Sequence, residues 1–320
     1  MGPLPRPPDV DAYFAHVYGL PPPAWAPALA VVAARHGFTD GPWERAALGR
    51  NVVFVGPEVA VKLGPPFWAG EMAREAAALR FVAGRLPART PAPLAHGALD
   101  GWEYLAVARL PGIQLSDCWA DLPPAERAGL AQQHGALMAA LHALPVAAVP
   151  GALRRDWAPF AVEQRALCLA AMERSGVAPG LLASAEPFLD AVMPRLLAAP
   201  PALIHGDLCH LNILVERADN GWRIAALIDW GDSNMGPVAY DLISPAVHMY
   251  RGDRDALAAW YHGYGLGGRL PAPLAYAATA WAMLHYADEL GAILQRIPNA
   301  AAAGNWHEVA HCLWGPTRGA

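Results

Sequence analysis

Hydrophobic positions change their period twice along the chain. Trp25, Leu29, Val32 and Ala33 recur at helical spacing and stop at Gly37, which predicts a leading helix with a packing role. From Trp43 the pattern turns to alternation and β-branched residues. Val52–Val55, a Gly56-Pro57-Glu58 turn and Val59–Lys62 read as two antiparallel strands behind a polar turn at Leu48-Gly49-Arg50-Asn51. A helix over 69–86 follows, with Met72, Ala76, Leu79 and Val82 as its buried stripe. Thr90-Pro91-Ala92-Pro93 then leads into a second strand pair that turns at Asp100-Gly101. Pro111-Gly112 breaks the pattern and marks a linker. Beyond it the period is helical almost throughout: 125–144 carries Leu130, Leu137 and Leu141 on one face, and 156–200 reads as two helices parted by Gly176 to Gly180. The expected fold class is α+β, in two lobes. Residues 1–109 form a small antiparallel sheet with one main helix, and 110–320 form a larger, mostly helical lobe.

One stretch of the second lobe interrupts its helices. Leu203 and Ile204 lead into His205-Gly206-Asp207, and Asn212 follows Asp207 by five positions. Ile213–Val215 reads as a strand, Asp219-Asn220-Gly221 as a hairpin turn, and Ile224–Ile228 as the return strand, with Asp229 at its end. Such a hairpin brings two carboxylates and one amide together. Mg²⁺ takes oxygen ligands, usually one or two carboxylates beside phosphate oxygens and water. Asn212 and Asp229 suit that role, and Asp207 is left to accept a proton from a substrate hydroxyl that attacks phosphorus. A His-Gly-Asp alone would mark no more than a turn. The Asn spacing, the hairpin and Asp229 together carry the functional reading.

Composition adds one sharp point. Lys62 is the sole lysine, against twenty-two arginines, so the position calls for a compact ammonium that a guanidinium does not replace. An acid on the following helix can hold that ammonium against the α/β-phosphates of a nucleotide. Glu75 is favoured over Glu71, which reads as a solvated residue. Ala60 shares the lysine's face and is small enough for an adenine ring to lie against it. The backbone of Ala108, Arg109 and Leu110 is expected to pair with the adenine edge. Asp241, just ahead of a helix, is expected to cap it and brace the His205 loop. Tryptophans and tyrosines of the last third read as core. The net charge of −5 excludes a general polyanion binder, so no nucleic-acid partner is expected. Four scattered cysteines fit a reduced, cytoplasmic protein, and no apolar run is long enough for a membrane span. The first residues lack the apolar run of a signal peptide.

With these residues in view, the chain resembles the aminoglycoside phosphotransferase family, the choline-kinase-like small-molecule kinases. The likeness covers residues 43 to about 260. It rests on VAVK (59–62), REAAALRFV (74–82), ARLPG (108–112), LIHGDLCHLNIL (203–214), LIDWGD (227–232) and AYDL (239–242). One departure is that Gly236 runs directly into Pro237, where many members have Gly-Asp-Pro. The resemblance implies a protein-kinase-like fold with Lys62 and Glu75 positioning the phosphates of ATP or GTP. It also implies Asp207 as catalytic base, Asn212 and Asp229 as Mg²⁺ ligands, and His205 and Asp241 as supports.

Asp241 follows Asp229 by twelve positions, too few for the activation segment a peptide substrate needs, so the acceptor is expected to be small. Residues 1–108 hold nine acidic and nine basic side chains, and the remainder nineteen against fourteen. That excess suits a cationic acceptor of aminoglycoside or other antibiotic type. Asp253, Asp255, Asp288 and Glu289 are its candidate amine-binding acids, though each also reads as a solvated helix face. Three alternatives stand beside this reading: a kinase of a small metabolite, a non-catalytic nucleotide-binding module, and a metal-dependent hydrolase built on His205, Asp207 and His210. The hydrolase lacks a later His/Asp cluster and leaves Lys62 without a role.

Overall fold

The computed structural model describes residues 4–47, 49–219 and 221–315. Leu48 and Asn220, each within an expected turn, lie outside the described residues. The chain divides into two compact units. The first holds residues up to 85, then 89–111 and 228–231; the second holds 86–88, 112–227 and 232 onward. The first unit therefore differs from the expected 1–109 chiefly by taking in Ile228–Gly231, which Lys62 and Glu75 bind directly.

In the first unit, α1 (Val10–Ala12) is capped by Asp9 and runs into a π-helical turn, Tyr13–Val17. Helix α2 (Ala26–His36) has a proline in its first turn and ends at Gly37, whose φ of 71° a side chain would resist. Strands β1 (Glu44–Arg45), β2 (Val52–Val55), β3 (Val59–Gly64), β4 (Pro93–Leu99) and β5 (Trp102–Ala108) form an antiparallel sheet in the order β1-β2-β3-β5-β4. Alternation gives this sheet two distinct faces. Val52, Phe54, Val59, Val61, Leu63, Trp102, Tyr104 and Ala106 pack with Tyr13, Val17, Trp25, Leu29 and Val32 of the leading segment. Each such side chain contributes roughly 1.5–3 kcal/mol when fully buried. The leading segment is thus part of the core. Ala60 and Lys62 point to the other face, where Lys62 lies level with Val53 and Leu105. Helix α3 (Glu71–Val82) buries Met72, Ala76, Leu79 and Val82. It is shorter than 69–86, because Gly70 has a φ of 90° and Ala83 leaves the helical region.

The second unit begins with β6 (Ile113–Gln114), α4 (Pro124–His142), α5 (Trp157–Arg174) and α6 (Pro179–Ala198). Next come β7 (Pro201–Ile204), β8 (Ile213–Ala218), β9 (Gly221–Leu227), β10 (Asn234–Pro237) and the short α7 (Val238–Asp241). A π-helical turn, Pro245–Tyr250, leads to α8 (Arg254–Gly263), α9 (Ala272–His285), α10 (Leu290–Gln295) and α11 (Trp306–Trp314). The hairpin β8–β9 is joined by β6, and β10 pairs antiparallel with β7. Gly236 and Pro237, where the motif departs from its relatives, are strand residues opposite Ala202 and Pro201, and this pairing anchors α7. Helices α4 and α8 cross backbone to backbone. A Cβ on Gly135 would stand 2.0 Å from the Trp260 carbonyl oxygen, and one on Gly263 would stand 1.9 Å from that of Gln132. Trp260, Trp281, Trp306 and Trp314 are all buried, as expected of core. Among the described residues no helix is long and apolar enough to cross a membrane.

Candidate active site

The first unit gathers one ammonium and two carboxylates. Lys62 projects from β3 and donates from Nζ to Glu75 Oε1 at 2.5 Å and to Asp229 Oδ1 at 2.7 Å. Glu75 arrives from the middle of α3, and its Oε1 also accepts the Trp230 N–H at 3.3 Å. Asp229 turns the chain with a φ of 61°, a left-handed conformation that aspartate tolerates better than bulkier residues. Burial works against the charge of Lys62, but Asp229 and Glu75 outweigh it and hold the ammonium above the ordinary lysine range. Burial, with the charge of Asp229 beside it, raises the Glu75 carboxyl against the pull of Lys62. The Glu75 side chain is 3% exposed and that of Asp229 49%, so one carboxylate serves as an inner strut and the other is open to solvent.

The remaining first-unit residues fall as follows. Glu71 pairs with Arg50 at 2.8 Å, not with Lys62. Ala60 is half-buried on the lysine's face. The expected hinge needs correction. The Ala108 N–H donates to the Ala92 carbonyl at 2.8 Å, and the Arg109 N–H donates to that of Glu58 at 2.9 Å. Those two donors belong to the unit's own ladder and its edge, and neither is open for an adenine edge.

The second unit builds the loop 205–212. Gly206 has a φ of 87°, and a Cβ there would stand 2.7 Å from the Asp232 carbonyl oxygen, so the loop's turn requires glycine. Asp207 receives two neutral donors: Ser244 Oγ at 2.5 Å on Oδ1, and Asn212 Nδ2 at 3.0 Å on Oδ2. Asn212 Nδ2 also donates to the Asp207 carbonyl at 2.7 Å. With its nitrogen committed to Asp207, Asn212 keeps its side-chain oxygen for another partner. Cys209 is buried, and burial with the nearby charge of Asp207 pushes its thiol up to about 12, which removes it as a nucleophile near neutral pH.

Asp241 is not a helix N-cap. It is the last residue of α7, and its carboxylate braces the loop, accepting the Gly206 N–H on Oδ1 at 2.7 Å and the His205 N–H on Oδ2 at 3.0 Å. His142, at the end of α4, completes the brace with Nε2 at 3.0 Å from Asp241 Oδ2 and Nδ1 at 2.7 Å from the Tyr264 hydroxyl. Burial opposes the charge of Asp241, yet the hydrogen bond and charge of His142, with His205, hold its carboxyl below the usual range. His205 is buried, and its carbonyl accepts from Ser233.

Sequence reasoning missed Ser244, His142 and Tyr264. A lone hydroxyl in the apolar run after Asp241 was the only available signal for Ser244. Of the four acids proposed for an amine, two have partners within the protein and the other two are exposed. Asp253 caps α8, accepting the N–H groups of Asp255 and Ala256 at 3.2 and 3.1 Å. Asp255 is exposed in the first turn of that helix. Asp288 pairs with Arg174 at 2.9 Å. Glu289, exposed, precedes α10 without capping it through its side chain.

Residues 45–303 match the model of a family described as the phosphotransferase enzyme family. The chain belongs to it. A viomycin phosphotransferase from Streptomyces vinaceus is 34% identical to this phosphotransferase over 173 residues, 51% of the present chain and 58% of that protein. The matched stretch thus spans little more than half of that relative. Among solved structures, the GDP complex of wild-type aminoglycoside 2'-phosphotransferase-IIIa superposes with a TM-score of 0.61 at 19% identity, covering 89% of this chain and 96% of that one. Aminoglycoside phosphotransferase APH(3'')-Id from Streptomyces rimosus, in complex with ADP and streptomycin, gives 0.58 at 17% identity over 81% and 97%. At those identities the likeness shows the fold, which is protein-kinase-like.

Proposed function

We propose that this phosphotransferase moves the γ-phosphate of ATP or GTP to a hydroxyl of a small molecule. The observation that carries the reading is the Lys62 ammonium held between Glu75 and Asp229, since a fixed, charged lysine beside a solvent-open carboxylate suits a nucleotide phosphate and its metal. Among the described residues no group of three His, Cys, Asp or Glu side chains could hold a metal. Mg²⁺ takes oxygen ligands, and the Asn212 side-chain oxygen and the Asp229 carboxylate are each donors of the kind that would hold it. When bound, the ion neutralises phosphate charge. Lys62 orients the α/β-phosphates, and Ala60 and the hinge around Ala108, Arg109 and Leu110 supply the adenine side, now with Leu110 as the N–H donor. Asp207 orients the acceptor hydroxyl and takes its proton as the oxygen attacks phosphorus. The neutral donors Ser244 and Asn212 fix the carboxylate for that task without pairing it to a cation.

The acceptor we favour is an antibiotic of the class named for its relatives, a viomycin- or streptomycin-type compound. A small-metabolite acceptor is the second reading, favoured by the engagement of Asp253 and Asp288 within the protein itself. The four cysteines are free thiols, which fits the cytoplasm. The test is turnover with ATP and with GTP, plus Mg²⁺, against viomycin, streptomycin, kanamycin, choline and free sugars, read as the mass gain of one phosphoryl group. Phosphorylation of an antibiotic alone supports the first acceptor, and of choline or a sugar alone the second. Magnesium-dependent nucleotide binding with no product on any compound would reduce the protein to a binding module.

A further inference from the structure

The leading segment, residues 4–44, lies outside the stretch that matches the family, yet two of its hydroxyls reach the turn before β2. The Tyr18 hydroxyl donates to the Gly49 carbonyl at 2.6 Å, and the Tyr13 hydroxyl to the Arg50 carbonyl at 2.9 Å. We infer that Tyr13 and Tyr18 are positioning residues for the nucleotide phosphates, acting through the backbone of Gly49, Arg50 and Asn51. The inference rests on the phosphotransferase reading above.

A trans peptide is planar and sets its N–H opposite its C=O. Holding the carbonyls of Gly49 and Arg50 toward the leading segment therefore aims the N–H groups of Arg50 and Asn51 away from it. The leading segment covers the sheet face that bears Val59, Val61 and Leu63, and Lys62 occupies the other. The inference assigns the two amides to the lysine's side. The distance along the strand is short, because Asn51 is two residues ahead of Val53, the cross-strand partner of Lys62. Successive backbone N–H groups of this kind form an anion site. Gly49, with a φ of 123°, allows the turn.

Both tyrosines are themselves fixed. Arg45 donates from Nη1 to the Leu20 carbonyl at 2.6 Å and from Nη2 to that of Tyr18, with its guanidinium 5.1 Å from the centre of the Tyr18 ring. The Tyr13 ring is buried edge-on among Phe67 and Trp68, with centroids 5.8 and 5.5 Å away. The packing belongs to the rings and the positioning to the hydroxyls, so Phe separates the two.

The experiment uses the full chain carrying Tyr13→Phe, Tyr18→Phe or both, with KM for ATP and GTP, KM for the acceptor, kcat, and hydrogen exchange at residues 49–51. The double variant is expected to raise the nucleotide KM about three- to tenfold, the effect of one or two ordinary hydrogen bonds. Acceptor KM and kcat should stay within about twofold, and exchange of the Asn51 amide should quicken without nucleotide. An unchanged nucleotide KM in a variant whose wild type binds nucleotide would overturn the inference alone. So would an equal rise in acceptor KM, which would mark a general softening. Failure of the wild type to bind either nucleotide would overturn the phosphotransferase reading, and this inference with it.

Discussion

The two units hold their carboxylates by opposite means. In the first unit Glu75 and Asp229 are bound to a cation, Lys62, and one of them is almost wholly buried. In the second unit Asp207 accepts only a hydroxyl and an amide, while the buried Asp241 takes on the structural work behind it. On the proposed function, the difference follows from the task. A group that orients phosphate must keep a fixed charge through every cycle, and a buried ion pair secures that. A carboxylate that must take up a proton would be hindered by a bound cation, which favours the ionised form. Neutral hydrogen bonds aim it without that penalty.

This contrast predicts that damage to the second unit's carboxylate appears in rate, and damage to the first unit's cluster in stability and nucleotide affinity. Asp207→Asn should lower kcat by about 10²–10⁴ with the nucleotide KM and the thermal midpoint little changed. A variant that keeps near-normal kcat would remove Asp207 as the base. Lys62→Met leaves Glu75 buried without its cation and should cost about 3–5 kcal/mol in urea unfolding. Lys62→Arg keeps the charge but not the shape, and a normal nucleotide KM in that variant would end the argument from the solitary lysine.

Two smaller effects sharpen the comparison. His134 is buried, its Nδ1 is 2.8 Å from the Tyr250 hydroxyl, and burial pushes its imidazole down to about 3. The unfolded chain takes up a proton near the ordinary value of 6.5 while the folded chain does not, so acidification between 6.5 and about 3 favours unfolding. Stability should fall with decreasing pH by up to about 1.4 kcal/mol per unit from this group. His134→Gln should flatten the slope of the urea midpoint between pH 7 and 5; an unaltered slope would assign it to other groups. Ser244→Ala should reduce kcat about tenfold, the worth of one charge-assisted hydrogen bond, with a normal nucleotide KM.

Much of this architecture was legible in the sequence because its periods are clean. The stripe of α3, the turn at Asp100-Gly101 and the β8–β9 hairpin each follow from residue spacing alone. Lys62 was legible by its rarity, and Asp207 and Asn212 by their separation. What the sequence hid was long-range hydrogen bonding. His142 looks like the polar end of an apolar helix, and only the fold brings it to Asp241, 99 residues away. Ser244 sits in a hydrophobic run with nothing to distinguish it from a surface hydroxyl. Two of the expected hinge donors were hidden for a related reason. Alternation located the strand, but only the register reveals that the Ala108 and Arg109 N–H groups already have acceptors. Charge counting alone does not register that Asp253 has a local capping duty.

The close crossing of α4 and α8 at Gly135 and Gly263 reaches further than packing. His134 precedes the first glycine, and His142 lies two turns further along the same helix. A single methyl at either crossing point would wedge the two rods apart and unseat the 205–212 loop from behind, without altering any residue of the candidate site. Inactivating alleles are therefore expected at two positions that no survey of the reaction chemistry would inspect.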